Sequence, residues 1–368
     1  MIIDIAGEPL SPGELCGIRL QNKIGLAPLN TGLLNNKDYG QIAREFYLQF
    51  AENNVGLIII GGIAVSDQGR ANSSSYSLWR GNDTSLLHDI IASCHSHGAS
   101  VSIQLEHAGR QTNPLEIGYE ILAASAIPCP VVGVQPREVN DEDIGRIVSD
   151  FAFAASKAEE IGTDFIEIHA AHGYFISGFL SLYSNKRSDR YGQTIENRFF
   201  LLDQVLSRVR NVVSIPIGVR FSVFEGVDKG LSVEDIIAGV RTMTQPPDYI
   251  SVSAGVYTKG TDLIMPPKDL GKALWRKQSR RIRSELGIPV LLAGNIDSIN
   301  TAASVINSED ADIALMGRAL LSDPFLITKH LAGKDIETKP CIYCELCKYH
   351  SRGRPHIYCP LNKLLRSL

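Results

Sequence analysis

The sequence predicts an α/β fold, a TIM (β/α)8 barrel followed by a short cysteine-rich C-terminal tail. Three observations predict it. Eight short runs rich in apolar and β-branched residues recur along the chain, and amphipathic helical stretches separate them. The Gly-x-Gly-x-x-Gly turn of a dinucleotide-binding sheet occurs nowhere, which weighs against the open doubly wound alternative. A chain of 368 residues is long enough for one such barrel and its tail.

The candidate strands, in order, are Ile24–Leu29, Gly56–Ile60, Ser100–Leu105, Asp164–His169, Pro216–Phe221, Tyr249–Ser253, Pro289–Ala293 and Ile313–Gly317. Each is nearly all apolar, as expected of strands covered on both faces. Helical periodicity fills the gaps, as in "DEDIGRIVSDFAFAASKAEEIG", "TIENRFFLLDQVLSRVR", "SVEDIIAGVRTM" and "SINTAASVINS". Several of these open on Ser, Thr or Asp in capping positions. "LLSDPFLITKHLAGKDI" reads as the last helix and its exit. The barrel is expected over residues 1–333 and the tail over 334–368. Such a tail is too small for a core of its own, so it needs a staple or must lie on the barrel.

Composition narrows the functional classes. A net charge of −4 leaves no footprint for nucleic acid or an anionic membrane. "MIIDIAGEPL" carries acidic residues and a proline where a signal peptide has its apolar run. "VGLIIIGGIAV" is too short to span a bilayer. A cytoplasmic location is therefore the expectation, and reduced thiols with it. Cys16, Cys94 and Cys129 are scattered and read as packing residues.

In a TIM barrel the chemistry sits where strands end and the following loops begin. The strand ends read "APLNTGL", "GGIAV", "IQLEHAGR", "IEIHAAHGYFISGFLS", "GVRFS", "AGN" and "MGRAL". Gln104 alone could be a satisfied amide, Arg220 an ion-pair partner, and Gly294 and Gly317 tight-turn residues. Together they suggest more. Glycines ending strands seven and eight, with Arg318, suit a phosphate held by backbone N–H groups. Gln104 and Arg220 could face one planar polar ring, and the guanidinium favours a ring that gains negative charge on reduction. One phosphate, one flat ring and stored electrons describe FMN.

"IQLEHAGR", "IEIHAAHGYFISGFLS", "NKRSDRYG" and "GVRFS", in this order and spacing, resemble the Old Yellow Enzyme family of FMN-dependent ene-reductases. The resemblance runs from about residue 8 to 330. It implies non-covalent FMN, with Pro28, Leu29 and Asn30 against the flavin ring and Gly62 near its O4/N5 edge. Gln104 would bond the pyrimidine side, Arg220 would sit near N1 and O2, and Gly294, Asn295, Gly317 and Arg318 would hold the phosphate region. Some relatives carry Cys at the position of Asn30; Asn cannot form a thioether, so the FMN should be extractable.

His169 and His172 lack the i, i+4 spacing of a helical zinc pair. By resemblance they bind the oxygen of an electron-withdrawing group, stabilising charge that develops as hydride reaches the β-carbon. Tyr174 matches the tyrosine that protonates the α-carbon; a phenol of pKa ~10 serves if held within hydrogen-bond reach. Tyr257 matches a position where the 2,4-dienoyl-CoA reductases have a histidine that assists protonation. The packing alternatives are a hydrogen-bonded core histidine and a buried loop aromatic.

Cys341, Cys344, Cys347 and Cys359 follow the pattern C-x2-C-x2-C-x11-C, three close thiols and one distant. That layout suits a 4Fe-4S cluster better than a zinc ribbon with two separate C-x2-C knuckles. Zinc, with His350 or His356, is the alternative. One branch of the resembling family carries such a cluster after the barrel, the dienoyl-CoA reductases, enoate reductases and trimethylamine dehydrogenase among it. In those enzymes the chain continues into FAD- and NAD(P)H-binding domains, whereas this one ends at Leu368. The expectation is a separate reductase or electron carrier feeding the cluster; the rival is NAD(P)H docking directly above FMN.

The expected activity is reduction of an activated C=C bond in a small unsaturated substrate. The alternatives are an amine or other dehydrogenase of the same family, a phosphate-binding barrel aldolase or isomerase, and a non-catalytic docking module. An aldolase needs a Schiff-base lysine or shuttling carboxylate at a strand end, and Lys259 is the lysine closest to one. Substrate choice is assigned to residues 110–140 and the loop after strand six. The sequence leaves monomer and homo-oligomer equally open.

Overall fold

The computed structural model describes residues 9–348 and 353–368. Strands β1 (Ile24–Leu29), β2 (Leu57–Ala64), β3 (Ser100–Glu106), β4 (Phe165–Ala170), β5 (Ile217–Ser222), β6 (Tyr249–Ser253), β7 (Val290–Ala293) and β8 (Ile313–Met316) close into a barrel. Every strand runs parallel to its neighbours, and β8 returns to β1 through Met316 opposite Leu26. The expected strands are found with ends shifted by about one residue, except that β2 runs on to Ala64. Its register slips between Ile60 and Ile63, where Gly61 and Gly62 form a bulge. Gly61 has no room for a side chain: a Cβ there would lie 2.3 Å from Pro28 Cβ and 2.7 Å from Leu29 N. Its lack of a side chain lets β2 press onto the end of β1.

Helices α1 (Gly40–Ala51), α2 (Ser85–Ser96), α3 (Asp141–Glu160), α4 (Ile195–Arg210), α5 (Val233–Thr242), α6 (Arg276–Leu286), α7 (Ile299–Asn307) and α8 (Leu326–Leu331) follow the eight strands in turn. α3 and α5 open on full capping boxes, Asn140 with Asp143 and Ser232 with Asp235. Thr194 and Ser298 cap α4 and α7; such caps contribute roughly 1 kcal/mol each. The inner helix faces, Phe46 and Phe50 of α1, Phe151 of α3 and Phe199 of α4 among them, bury against outward strand residues such as Ile58, Val101 and Ile166.

Inward strand positions make a second, smaller core. Leu57, Ile59, Phe165, Tyr249, Leu291, Ile313 and Leu315 fill the lower barrel, joined by Leu15 and Leu20. Those two leucines come from an antiparallel hairpin (Gly13–Leu15 with Ile18–Leu20) that stoppers the N-terminal end. Gly218 makes room for the Tyr249 ring, which would lie 2.2 Å from any Cβ placed there. Above this layer the same inward positions turn polar, and they form the site described below.

The tail lies on the barrel. Ile357, Cys359 and Leu365 are buried in the barrel's own outer core. Ile357 N–H donates to Thr31 O at 2.8 Å, past the end of β1. Asn362 caps the short helix Lys363–Arg366 and donates to Leu321 O at 3.0 Å. Among the described residues no helix is long and apolar enough to cross a membrane.

Candidate active site

Strands β3 to β6 carry their polar inward side chains to the C-terminal mouth. Gln104 Nε2 donates to Glu167 Oε1 at 2.6 Å, and Ser251 Oγ donates to the other carboxylate oxygen. Glu167 is fully buried; burial raises its pKa, and Arg220 with these hydrogen bonds pulls it back down. Arg220 is 5% exposed, and burial lowers its pKa while Glu167 opposes that. Its Nη2 donates to Ser253 Oγ at 3.2 Å. Its Nε and Nη1 are buried with no partner among the described residues. Two orphaned donors on a buried cation mark where an acceptor-rich group belongs.

His169, next to last in β4, lies opposite Arg220 in the β4–β5 register. Ala171 N–H donates to His169 Nδ1 at 3.2 Å, which places that ring's proton on Nε2. Nε2–H then donates to His172 Nδ1 at 3.2 Å, and His172 Nε2–H to Ser253 Oγ at 2.8 Å. Burial, reinforced by Arg220, holds both imidazoles well below the usual histidine range, so both are neutral near pH ~7. Each ring has one N–H, and each N–H is aimed at a neighbour. An oxygen arriving here must therefore replace one of those partners. His172 sits at φ 62°, fixed by its own N–H on Ser222 Oγ and by Gln111 Nε2 on its carbonyl. Tyr174 stands edge-on to His169, 4.8 Å between ring centroids, and its hydroxyl lies 3.2 Å from that of Tyr257. Tyr257 is 37% exposed at the rim.

Pro28, Leu29 and Asn30 are half-buried at the end of β1. Asn30 Nδ2 donates to Ser75 Oγ at 3.3 Å. Gly62 is left-handed (φ 69°), and a Cβ there would meet Asn30 Cβ at 3.0 Å. On its Cβ side Gly62 thus faces Asn30, a contact the sequence did not suggest. Beside it, at the ends of β7 and β8, Asn295 and Arg318 come together next to Gly294 and Gly317. Asn295 Nδ2 donates to Pro267 O and Gly271 O, each at 3.0 Å. Arg318 Nη2 donates to Pro266 O at 2.6 Å and to Asn295 Oδ1. The loop after β6 therefore holds the Asn295 amide and one Arg318 nitrogen, two of the groups assigned to a phosphate. Gly294 (φ 145°) gives its side-chain space to Trp275, whose buried Nε1 has no partner among the described residues. The unpartnered donors of Arg220 and Trp275 are the features that fit a bound flavin nucleotide.

All four tail cysteines are free and line one cavity together with Arg318, Tyr343 and Tyr358. Tyr343 and Glu345, between the first three, adopt left-handed backbone (φ 55° and 59°), which turns successive thiols toward the same space. Tyr343 N–H donates to Cys341 Sγ at 3.4 Å, and backbone N–H groups of Leu361 and Asn362 face Cys359. Burial pushes the Cys347 thiol up to about 11 and raises Cys359 as well. Among the described residues no three His, Cys, Asp or Glu side chains form a group that could hold a metal ion, so the thiols share a cavity without converging on one point. His356 is not in that cavity. Its ring stands edge-on to Tyr39 and its Nδ1–H donates to Ile357 O, which keeps it away from the thiols. His350 lies outside the described residues.

Glu167, Ser253, Trp275 and Arg110 were not singled out from the sequence. The first two could have been: in β4 and β6 they share parity with Phe165 and Tyr249, so they face inward. Trp275 and Arg110 sit in loops and left no such signal.

Glu106, at the end of β3, is 2% exposed, has an unpartnered Oε1 among the described residues, and is pushed by burial up to about 7 from 4.5. The folded carboxyl keeps a proton that the unfolded one loses, so this contribution is full below 4.5 and is lost as pH rises through about 7. Wild type should lose about 3 kcal/mol from this group between about pH 4.5 and 8. Glu106→Gln should lack that part of the slope in urea unfolding; an unchanged slope would refute the assignment.

Residues 8–337 match the family model described as the NADH:flavin oxidoreductase / NADH oxidase family. The chain is 35% identical over 333 residues to a NADPH dehydrogenase of Geobacillus thermodenitrificans (strain NG80-2), covering 89% of this chain and 94% of that one. Among solved structures, a 2-naphthoyl-CoA reductase complex superposes with TM-score 0.90 at 20% identity, over 98% of this chain but 57% of that one. An old yellow enzyme homologue from Zymomonas mobilis superposes with TM-score 0.75 at 24% identity, over 89% of this chain and 93% of that one.

Proposed function

Because the chain belongs to the NADH:flavin oxidoreductase / NADH oxidase family, we propose that it is an FMN-dependent ene-reductase, reducing the activated C=C bond of an α,β-unsaturated carbonyl compound or an enoyl or dienoyl thioester. The observation that carries this reading is the meeting of Arg220, with two unpartnered guanidinium nitrogens, and the His169–His172–Tyr174 group at one barrel mouth. Bound FMN supplies the electron pair, taken in turn from NAD(P)H. Arg220 holds negative charge at the ring edge, and Gln104, fixed by Glu167, offers its amide to the same ring. His169 and His172 give their N–H groups to the substrate oxygen. Tyr174 Oη gives its proton to the α-carbon, and Tyr257, bonded to it and open to solvent, returns one. Pro28, Leu29, Asn30 and Gly62 flank the ring; Gly294, Asn295, Gly317 and Arg318 take the phosphate once the loop carbonyls release them.

The same reading places a 4Fe-4S cluster on Cys341, Cys344, Cys347 and Cys359. It is supported by the shared cavity and the N–H groups directed at sulfur. The superposition that extends over 98% of the chain, where the shorter homologue's stops at 89%, gives the tail a structural counterpart. Such a cluster would add a second electron entry beside NAD(P)H, passing single electrons from a separate reductase or carrier in a cytoplasmic setting where thiols stay reduced.

Anaerobic purification with an absorbance spectrum and FMN, iron and sulfide analysis tests both parts. The expected result is a coloured protein with acid-extractable FMN, bleached by NADPH and recoloured by 2-cyclohexenone. A colourless protein that binds no FMN overturns the flavin reading; zinc without iron overturns the cluster.

A further inference from the structure

The inward face of β3 climbs from the lower barrel to the mouth in three steps. Ser102 Oγ lies 3.3 Å from Tyr249 Oη in the lower core, Gln104 reaches Glu167, and Glu106 follows by the same parity. Glu106 is the last residue of the strand, fixed there by Val65 N–H on its carbonyl at 3.0 Å. Its side chain is buried, yet Oε1 has no partner among the described residues. None of the ring-binding or proton-donating roles above uses it.

Across the mouth stands the hydroxyl pair, Tyr257 and Tyr174, 3.2 Å apart. Burial raises the Tyr257 pKa, and the charge of Glu106 raises it further, against the pull of the Tyr174 hydrogen bond. Tyr257 follows β6, three strands round the barrel from β3, so a carboxyl whose charge reaches it faces across the opening. The neighbouring groups are bound or neutral. Glu167 lies a layer below, held by Gln104 and Ser251, and Arg220 acts on it and on the neutral His169 and His172. Burial holds His107 down to about 3. Asp262, which also acts on Tyr257, is ion-paired with Lys348 at 2.8 Å, and Cys129 is a buried thiol. On Glu106 burial acts without an opposing cation, so its carboxyl changes charge near neutral pH, at about 7.

We propose that Glu106 is a positioning residue for proton delivery: as a neutral acid it leaves the Tyr257–Tyr174 pair free to release a proton, and as a carboxylate it holds that proton back. Glu106 itself transfers nothing. When Tyr174 Oη gives its proton to the α-carbon, negative charge appears on the phenol oxygen until Tyr257 passes a proton on. A carboxylate facing the pair opposes that charge; a neutral carboxyl does not. The sign follows: proton delivery is fast below about pH 7 and slows as pH rises through it. The proposal rests on the ene-reductase reading, with Tyr174 as its proton donor.

The test is stopped-flow reoxidation of the FMN-loaded, NADPH-reduced enzyme by 2-cyclohexenone, an acceptor with no titrating group, across about pH 6 to 9. The wild-type rate should fall about 3- to 10-fold through this range, with a solvent isotope effect that grows as it falls. Glu106→Gln, uncharged throughout, should lack the fall. Glu106→Asp keeps an acid, so it should retain a fall at a displaced pH, and it serves if Glu106→Gln does not fold. In infrared difference spectra of wild type against Glu106→Gln, the carbonyl band of a protonated carboxyl should fade over the same pH range as the rate. A level wild-type rate, a fall that persists unchanged in Glu106→Gln, or a band that fades at a different pH overturns the proposal and leaves the ene-reductase reading intact. Reduced flavin that no enone reoxidises at any pH removes that reading and the proposal with it.

Discussion

Tyr174→Phe should slow reoxidation of the reduced enzyme by an enone about 10²- to 10⁴-fold while leaving reduction of the flavin by NADPH unchanged. The substitution removes one oxygen. The ring stays edge-on to His169, so the mouth keeps its shape. What is lost is the O–H held 3.2 Å from the Tyr257 hydroxyl. Stopped-flow measurement of the two half-reactions separates the outcomes: a proton donor affects only the second, whereas a packing residue disturbs both or neither. Tyr257→Phe should act in the same half-reaction but more weakly, since Tyr174 keeps its own proton. Equal reoxidation rates in wild type and Tyr174→Phe would remove Tyr174 from the mechanism.

Arg220→Met should lower the rate of flavin reduction about 10²- to 10³-fold and weaken FMN retention on gel filtration. Arg220 is the cation that opposes the rise burial imposes on the Glu167 pKa, and Glu167 fixes Gln104. Removing the guanidinium therefore also loosens the amide on the other side of the ring. Arg220→Lys keeps the charge but loses the fork, so it should fall between. A variant that binds FMN as tightly as wild type and is reduced as fast would show that the two orphaned nitrogens serve another purpose.

The barrel was legible because its strands are short, apolar and regularly spaced, a pattern that depends on local sequence alone. The site was legible unevenly, for a physical reason. Reading each strand as nearly all apolar averages over its two faces. The same strands read at period two separate Phe165, Glu167 and His169, which point inward, from Ile166 and Ile168, which point outward. That finer reading would have yielded Glu167, Ser251 and Ser253 together, since the three share the inward parity of their two strands. Trp275 could not be found this way. Its place at Gly294 depends on how the loop after β6 returns across the mouth, a non-local packing choice. The same holds for Gly62, whose neighbour Asn30 comes from another strand. His356, named only with the zinc alternative, could not be placed from sequence, because proximity to cysteines along the chain says nothing about which way a ring turns; it packs on Tyr39.

The leucines of the N-terminal hairpin bear on the order of events as well as on stability. With Leu15 and Leu20 seated among Leu57, Phe165 and Tyr249, the tube is sealed at one end. Whatever reaches the His–Tyr group enters and leaves by the opposite opening. Two reactants that need the same few atoms cannot pass each other in such a dead end; they take turns. A donor and an acceptor that both compete for that opening should each inhibit the other's half of the cycle at high concentration.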